Sequence, residues 1–89
     1  MKESELKQRC IHHALSKGAI YARMTGPKGT PDHVFFKNNK CLIVEFKTET
    51  GVLSEAQKYQ IKNYKESGVI VYVINNLSDF LRLFTSHIS

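Results

Sequence analysis

Residues 32–47 read DHVFFKNNKCLIVEFK and contain two largely apolar runs separated by Asn38-Asn39. Two-residue turns of this kind join the strands of β-hairpins, so the sequence predicts strands over Asp32–Lys37 and Lys40–Lys47. The second strand carries four consecutive apolar residues, which favours a central position in the sheet. This hairpin is the segment around which the rest of the fold is expected to form.

Capping and periodicity signals on both sides of the hairpin predict three helices and two more strands. Gly18 and Gly68 are natural helix ends, and Ser54-Glu55-Ala56-Gln57 has the form of a capping box. In chain order, the expected additional elements are a helix over 4–17, a strand over 19–24, a helix from 54 to about 67, a buried strand over 69–74 and a helix over 77–84 capped by Asn76 or Ser78. The order α-β-β-β-α-β-α predicts a single α/β domain over 1–89, with a mixed central sheet flanked by helices.

The composition is that of a small basic protein. The chain has 89 residues and a formal net charge of +5, which favours a polyanionic partner. It has no stretch near the ~20 apolar residues of a membrane helix. The charged segment 1–5 lacks the apolar stretch of a signal peptide, which predicts an intracellular setting. Cys10 and Cys41 each lie in an apolar pattern and are expected to be buried thiols rather than a disulfide or zinc ligands.

Three charged residues are expected to gather at one end of the hairpin. Strand alternation puts Glu45 and Lys47 on the same face, about 7 Å apart, and pairing across the turn brings Asp32 level with about position 45. Converging carboxylates repel each other unless a cation lies between them, and their oxygen atoms suit Mg²⁺ or Mn²⁺. Lys47 would then position or deprotonate the attacking water in phosphodiester hydrolysis. Taken separately, Glu45 and Lys47 are equally consistent with an ordinary ion pair, and Asp32 with a turn.

The same residues resemble a known family signature. Gly29-Thr30-Pro31-Asp32 and, after twelve intervening residues, Glu45-Phe46-Lys47 resemble the PD-(D/E)xK nuclease motif. Together with Leu53-Ser54-x-x-Gln57 they resemble the VRR-NUC (virus-type replication-repair nuclease) branch, in its stand-alone phage or bacterial form. The resemblance covers nearly the whole chain and implies a restriction-endonuclease-like core.

The resemblance also implies roles for individual residues. The implied metal ligands are Asp32, Glu45, the backbone carbonyl of Phe46, and an acid from the first helix. Glu5 is the better candidate for that acid, because Glu3 precedes the predicted helix start. The implied catalytic residues are Asp32, Glu45, Lys47, Glu5 and Gln57.

Two further assignments concern the segments around the signature. Lys28, the amides of Gly26 and Gly29, and Arg23 are expected to contact a phosphate, although a mobile loop with a solvated lysine is the alternative. Gln57 either points into the site or reaches back to cap Ser54, and both can hold at once. The four histidines receive no role.

The function implied by the resemblance is a Mg²⁺- or Mn²⁺-dependent DNA endonuclease in replication, repair or recombination. Stand-alone members resemble Holliday-junction resolvases, which implies branched DNA and a homodimer, with Leu81, Leu83 and Phe84 of the last helix as a candidate interface. The alternatives are a monomeric flap or nicking nuclease and a non-catalytic DNA-binding module. The expected location is the cytoplasm of a bacterium or of a phage-infected cell.

Overall fold

The helices and strands follow the order expected from the sequence. The structure, a computed structural model, describes residues 1–88. Its elements are α1 (Glu3–Ser16), β1 (Ile20–Arg23), β2 (His33–Lys37), β3 (Lys40–Phe46), α2 (Glu55–Glu66), β4 (Val71–Ile74) and α3 (Leu77–His87). The expected capping box at the start of α2 is present. Asn76, rather than Ser78, caps α3 by accepting a hydrogen bond from the Asp79 N–H.

The four strands form one mixed sheet in the order β1-β2-β3-β4. β2 pairs antiparallel with β1 and β3, and β4 joins β3 in parallel, so β3 is central as expected. At the hairpin turn Asn38 and Asn39 have φ values of 54° and 64°, the left-handed conformation that a type I′ turn requires. Because His33 pairs with Val44, position 32 lies opposite position 45, and the predicted register is confirmed.

The two faces of the sheet are covered unequally. One face packs against α1 and α3 in a core formed by Leu6, Cys10, Ala14, Ala19, Phe35, Leu42, Val44, Phe46, Ile74, Phe80, Phe84 and Ile88. The other, here called the α2 face, carries Val34, Ile43 and Val71 against Ile61 and Tyr64 of α2. No residue of α2 itself is fully buried. The α2 face is therefore only partly covered, which leaves room at its ends.

Several expectations about burial are wrong. β4 is an edge strand rather than a buried one, and Ile70 and Val73 beside and within it are 58% and 43% exposed. Cys10 is buried as expected, whereas Cys41 is exposed, because it lies on the α2 face beyond the reach of α2. Phe84 is fully buried in the core, so the last helix does not present it to a second subunit.

No helix within residues 1–88 is long and apolar enough to cross a membrane.

Candidate active site

Asp32 and Glu45 face each other at the end of the β2–β3 hairpin that is remote from its turn. The register, continued one pair beyond the strand β2, makes them cross-strand neighbours, and Cβ atoms in such pairs are about 4.5–5.5 Å apart. Strand alternation directs both side chains to the α2 face, which also carries Val34 and Ile43. The structure thus brings the two predicted carboxylates together.

Glu45 is a buried acid without a directly bonded partner in the described part of the chain. It is 6% exposed, and no group in the described part of the chain forms a hydrogen bond or an ion pair with its carboxylate. Burial, followed by the charge of Asp32, raises the pKa of Glu45 from 4.5 to about 7, while Lys47 acts in the opposite direction. The alternative of an ordinary Glu45–Lys47 ion pair is therefore not what these side chains form. A cation near the pair would favour the ionised form of Glu45.

Asp32 is held mainly through its backbone. Its carbonyl accepts a hydrogen bond of 2.8 Å from the Met24 N–H, which closes the loop between β1 and β2. Its side chain is half exposed, with Oδ2 3.9 Å from Nη2 of Arg23. An exposed contact of this length contributes little to stability, so the carboxylate stays available to a ligand.

The backbone carbonyl of Phe46 is left without its ladder partner. The N–H of the next residue, Lys47, donates to Ile74 of β4, so the Phe46 backbone groups point the opposite way, towards β2. The continued register puts Pro31 opposite Phe46. Because proline has no N–H, it cannot donate to the Phe46 carbonyl. Pro31 therefore leaves free an oxygen that the family resemblance implies as a metal ligand.

The first helix directs Glu3, rather than Glu5, towards the carboxylate pair. α1 begins at Glu3, so Glu3 does not precede the helix as expected from the sequence. Glu3 lies three residues before the buried Leu6 and shares its side of the helix, and its charge raises the pKa of Glu45. Both acids have a cation one turn further along the helix, Lys7 at 3.8 Å from Glu3 and Arg9 at 4.0 Å from Glu5, but Glu5 is exposed on the solvent side whereas Glu3 is partly buried.

The loop formed by residues 25–31, which contains Gly26 and Gly29, packs directly against the first turn of α2. A Cβ atom at Gly29 would lie 2.2 Å from the carbonyl oxygen of Ala56, and Gly29 has φ +89°. Both observations exclude a side chain at this position without a backbone shift. The Gly-x-Pro-Asp and Leu-Ser-x-x-Gln elements are thus parts of one packed unit, in which α2 supports the residues that precede Asp32.

Gln57 has a defined local role. Its side-chain oxygen accepts a 2.9 Å hydrogen bond from the Ser54 N–H, and its own N–H donates to Ser54 Oγ at 3.1 Å. This reciprocal pair fixes the start of α2, the turn that Gly29 contacts. The side-chain NH₂ of Gln57 takes no part in the capping box.

The residues expected to contact phosphate line one surface cleft. The cleft has a volume of about 510 Å³ and includes Arg23, Lys28, Gly29 and Asp32 in its wall. Two cationic side chains and a turn rich in backbone amides suit a phosphate group. The carboxylate of Asp32 lies at the same cleft, so an anion bound there would be next to the candidate metal centre.

The donor set suits a hard divalent cation that keeps several water ligands. Among residues 1–88 no three His, Cys, Asp or Glu side chains are close enough to form a metal site by themselves. The available protein donors are two facing carboxylates and a free carbonyl oxygen. Mg²⁺ and Mn²⁺ accept such a partial oxygen set, because water completes their coordination. The residues therefore fit the ion that the resemblance implies.

Comparisons with known proteins found similarity over most of the chain. A family model, the VRR-NUC domain, matches residues 2–76. A solved structure described as a VRR_NUC domain superposes with a TM-score of 0.82 at 16% identity, covering 93% of this chain and 94% of that one. A search of curated proteins found no match.

The family match identifies a nuclease-type domain. The chain belongs to the VRR-NUC domain family, and the family and the element order expected from the sequence are confirmed. The sequence ranked Glu3 below Glu5 and gave no role to His33, which is buried beside Asp32. The position of Glu3 relative to Leu6 was the available signal for the first of these, because residues three apart share a helix face.

Proposed function

We propose that this protein is a metal-dependent DNA endonuclease that uses Mg²⁺ or Mn²⁺ to hydrolyse phosphodiester bonds. The observation that carries the proposal is the buried carboxylate of Glu45, which faces Asp32 and forms no hydrogen bond or ion pair among the described residues, with Lys47 and Lys7 offsetting its charge only in part. Two close acids destabilise each other, so their placement side by side favours a ligand that neutralises both. A basic cleft beside them suits a phosphodiester substrate.

In the proposed site, Asp32, Glu45 and the Phe46 carbonyl would hold the ion. Glu3 would replace Glu5 as the acid of the first helix, acting on the site through its charge, because three acidic side chains are not within direct ligand distance among residues 1–88. When bound, a divalent ion polarises the scissile phosphate and favours deprotonation of the attacking water.

The remaining side chains act on the phosphate and the attacking water. The ammonium group of Lys47 orients the water or offsets charge that develops on the phosphate oxygens. Arg23 and Lys28 hold the phosphate in the cleft that they share with Asp32. Gln57 caps the first turn of α2, and Gly29 allows the loop before Asp32 to pack against that turn.

Cleavage assays with matched variants test this function. Labelled linear, flap and four-way DNA would be incubated with Mg²⁺, Mn²⁺ or a chelator. We expect cutting with either ion, none with chelator, and losses of at least about 100-fold for Asp32→Asn and Lys47→Ala. Lys17→Ala, at the opposite end of the molecule from the site, is the control and should match the wild type. Undiminished cutting by the two site variants would overturn the proposal, and binding without cutting would favour a DNA-binding module.

The proposed substrate is branched DNA, cut by a homodimer with one site in each subunit. Support comes from the stand-alone family resemblance and from an exposed apolar row on the α2 face. The row consists of Ile20, Phe36 and Cys41, which are cross-strand partners on β1, β2 and β3. Ile20 and Phe36 are 66% and 44% exposed. Contiguous exposed apolar groups favour burial against another surface, and this row replaces the last helix as the proposed interface.

Sedimentation and junction cleavage test the dimer. Phe36→Asp is expected to shift a wild-type dimer to monomer, whereas Val52→Asp, at another exposed apolar position, is not. A monomeric wild type that prefers flaps would favour the monomeric flap nuclease instead.

The proposed setting is the cytoplasm of a bacterium or of a phage-infected cell, in replication, repair or recombination.

A further inference from the structure

A cluster of three rings lies behind the candidate metal centre, on the opposite face of the sheet. Tyr21, His33 and Phe46 form it, and His33 and Phe46 are 3% and 1% exposed. The Tyr21 hydroxyl and His33 Nδ1 are joined by a hydrogen bond of 2.5 Å. The His33 ring stacks on Tyr21 with centroids 5.8 Å apart and meets the edge of Phe46 at 5.1 Å.

The positions of these residues in the chain connect the cluster to the site. His33 directly follows Asp32, and Phe46 lies between Glu45 and Lys47. Because side chains alternate across a strand, the site residues point to the α2 face while His33 and Phe46 point to the other. The contact between the two rings therefore joins β2 to β3 at the level of the two carboxylates.

The hydrogen bond to Tyr21 extends the connection to a third strand. His33 is almost completely buried, so its ring nitrogens need partners within the fold. A buried imidazole can be packed among rings at little cost provided that its polar atoms are satisfied. The Tyr21 hydroxyl satisfies Nδ1 and fixes the plane of the His33 ring against Phe46.

We propose that Tyr21 and His33 are positioning residues that hold the strand ends carrying Asp32 and Glu45 at the separation required by a divalent cation. This inference rests on the proposed function, because it assigns the cluster a role in forming the metal centre. The cluster does not touch the ion or the DNA. It acts through the backbones of β2 and β3, in the way that outer-shell groups orient metal ligands.

Conservative variants test the role, with Mn²⁺ as the probe. Tyr21→Phe removes one hydroxyl and keeps the ring. The chain also offers a matched control, because Tyr72 and His87 form a second tyrosine–histidine hydrogen bond, 3.0 Å long and exposed. Calorimetry would measure Mn²⁺ affinity, cleavage would be measured across a Mn²⁺ series, and thermal unfolding would be measured in chelator.

We expect Tyr21→Phe to weaken Mn²⁺ binding roughly tenfold, the lower end of outer-shell effects, and cleavage to recover at high Mn²⁺. His33→Phe, which keeps a ring against Phe46, should weaken binding similarly, and Tyr72→Phe should leave affinity unchanged. If Tyr21→Phe only lowers the unfolding temperature and binds Mn²⁺ like Tyr72→Phe, the positioning role is wrong while the proposed function stands. A wild type that neither binds Mn²⁺ nor cuts DNA would overturn both.

Discussion

Replacing Glu45 by glutamine should stabilise the metal-free protein at alkaline pH while removing its response to Mn²⁺. The pKa of this carboxyl group is raised from 4.5 to about 7 by burial and by Asp32. The folded state therefore binds the proton more tightly than the unfolded state does. The stability associated with the protonated group is fully present below about pH 4.5, decreases as the pH rises, and is lost above about pH 7.

The size of the effect follows from the pKa change. Each unit of pKa change corresponds to about 1.4 kcal/mol. A rise in the pKa of Glu45 from 4.5 to about 7 therefore corresponds to about 3 kcal/mol of unfolding free energy, as an order of magnitude. Glutamine is never ionised, so Glu45→Gln should be more stable than the wild type by up to about 3 kcal/mol at pH 8 and nearly equal to it at pH 4. In a domain of this size, that difference raises the unfolding temperature by about 10 °C or more.

Chemical denaturation with chelator at pH 4 and pH 8, followed by Mn²⁺ addition at pH 8, measures both effects. Mn²⁺ should stabilise the wild type, because it binds the folded state preferentially, and should have little effect on the variant. Glu66→Gln, an exposed change at the end of α2, is the control and should move neither quantity. If Glu45→Gln is no more stable than the wild type at pH 8, burial does not destabilise the Glu45 carboxylate and the predicted gain is refuted.

Three other predictions follow from local geometry. Gly29→Ala should cost at least about 3 kcal/mol of unfolding free energy in chemical denaturation, because the added Cβ would overlap the Ala56 carbonyl. The control Gly18→Ala, at φ +90° with no atom within 4 Å of the added Cβ, should cost only about 1 kcal/mol in the same assay. Glu3→Gln should reduce Mn²⁺-dependent cleavage several-fold and Glu5→Gln should not, and equal losses would exclude the assignment of Glu3. Asn76→Ala should cost about 1 kcal/mol in thermal unfolding, because the cap of α3 is lost, and an unchanged unfolding temperature would contradict that role.

The sequence predicted the hairpin and its register because both depend on local chemistry. Asn38 and Asn39 define the turn, and the turn defines which residues pair, so the approach of Asp32 to Glu45 followed directly. The starts of α2 and α3 were equally accessible, since Ser54 and Asn76 carry side chains that cap a helix. α1 has Lys2 at its N-cap with no side-chain hydrogen bond, and its start was accordingly misplaced.

The remaining errors concern tertiary coverage, which periodicity cannot supply. An alternating strand indicates two faces but not how far a helix extends over each of them. Cys41 and Val73 have apolar sequence neighbours like those of core residues, yet both are exposed. α2 ends before it covers Cys41, and Val73 lies on an edge strand. The unpaired carbonyl of Phe46 could not be predicted without knowing that Pro31 lies opposite it in the sheet. The ring cluster could not be predicted without knowing that β1 lies beside β2.

The close approach of Gly29 to Ala56 has a consequence for transplanting this site into another protein. The loop that leads to Asp32 has its shape only because the first turn of a helix, more than twenty residues away in the chain, occupies the space that a side chain would need. A designer who grafts the hairpin alone would transfer the chemical groups without their geometry. The smallest portable unit is the hairpin together with the capped turn of α2, and a recipient scaffold is suitable only if it can accept both pieces at this spacing.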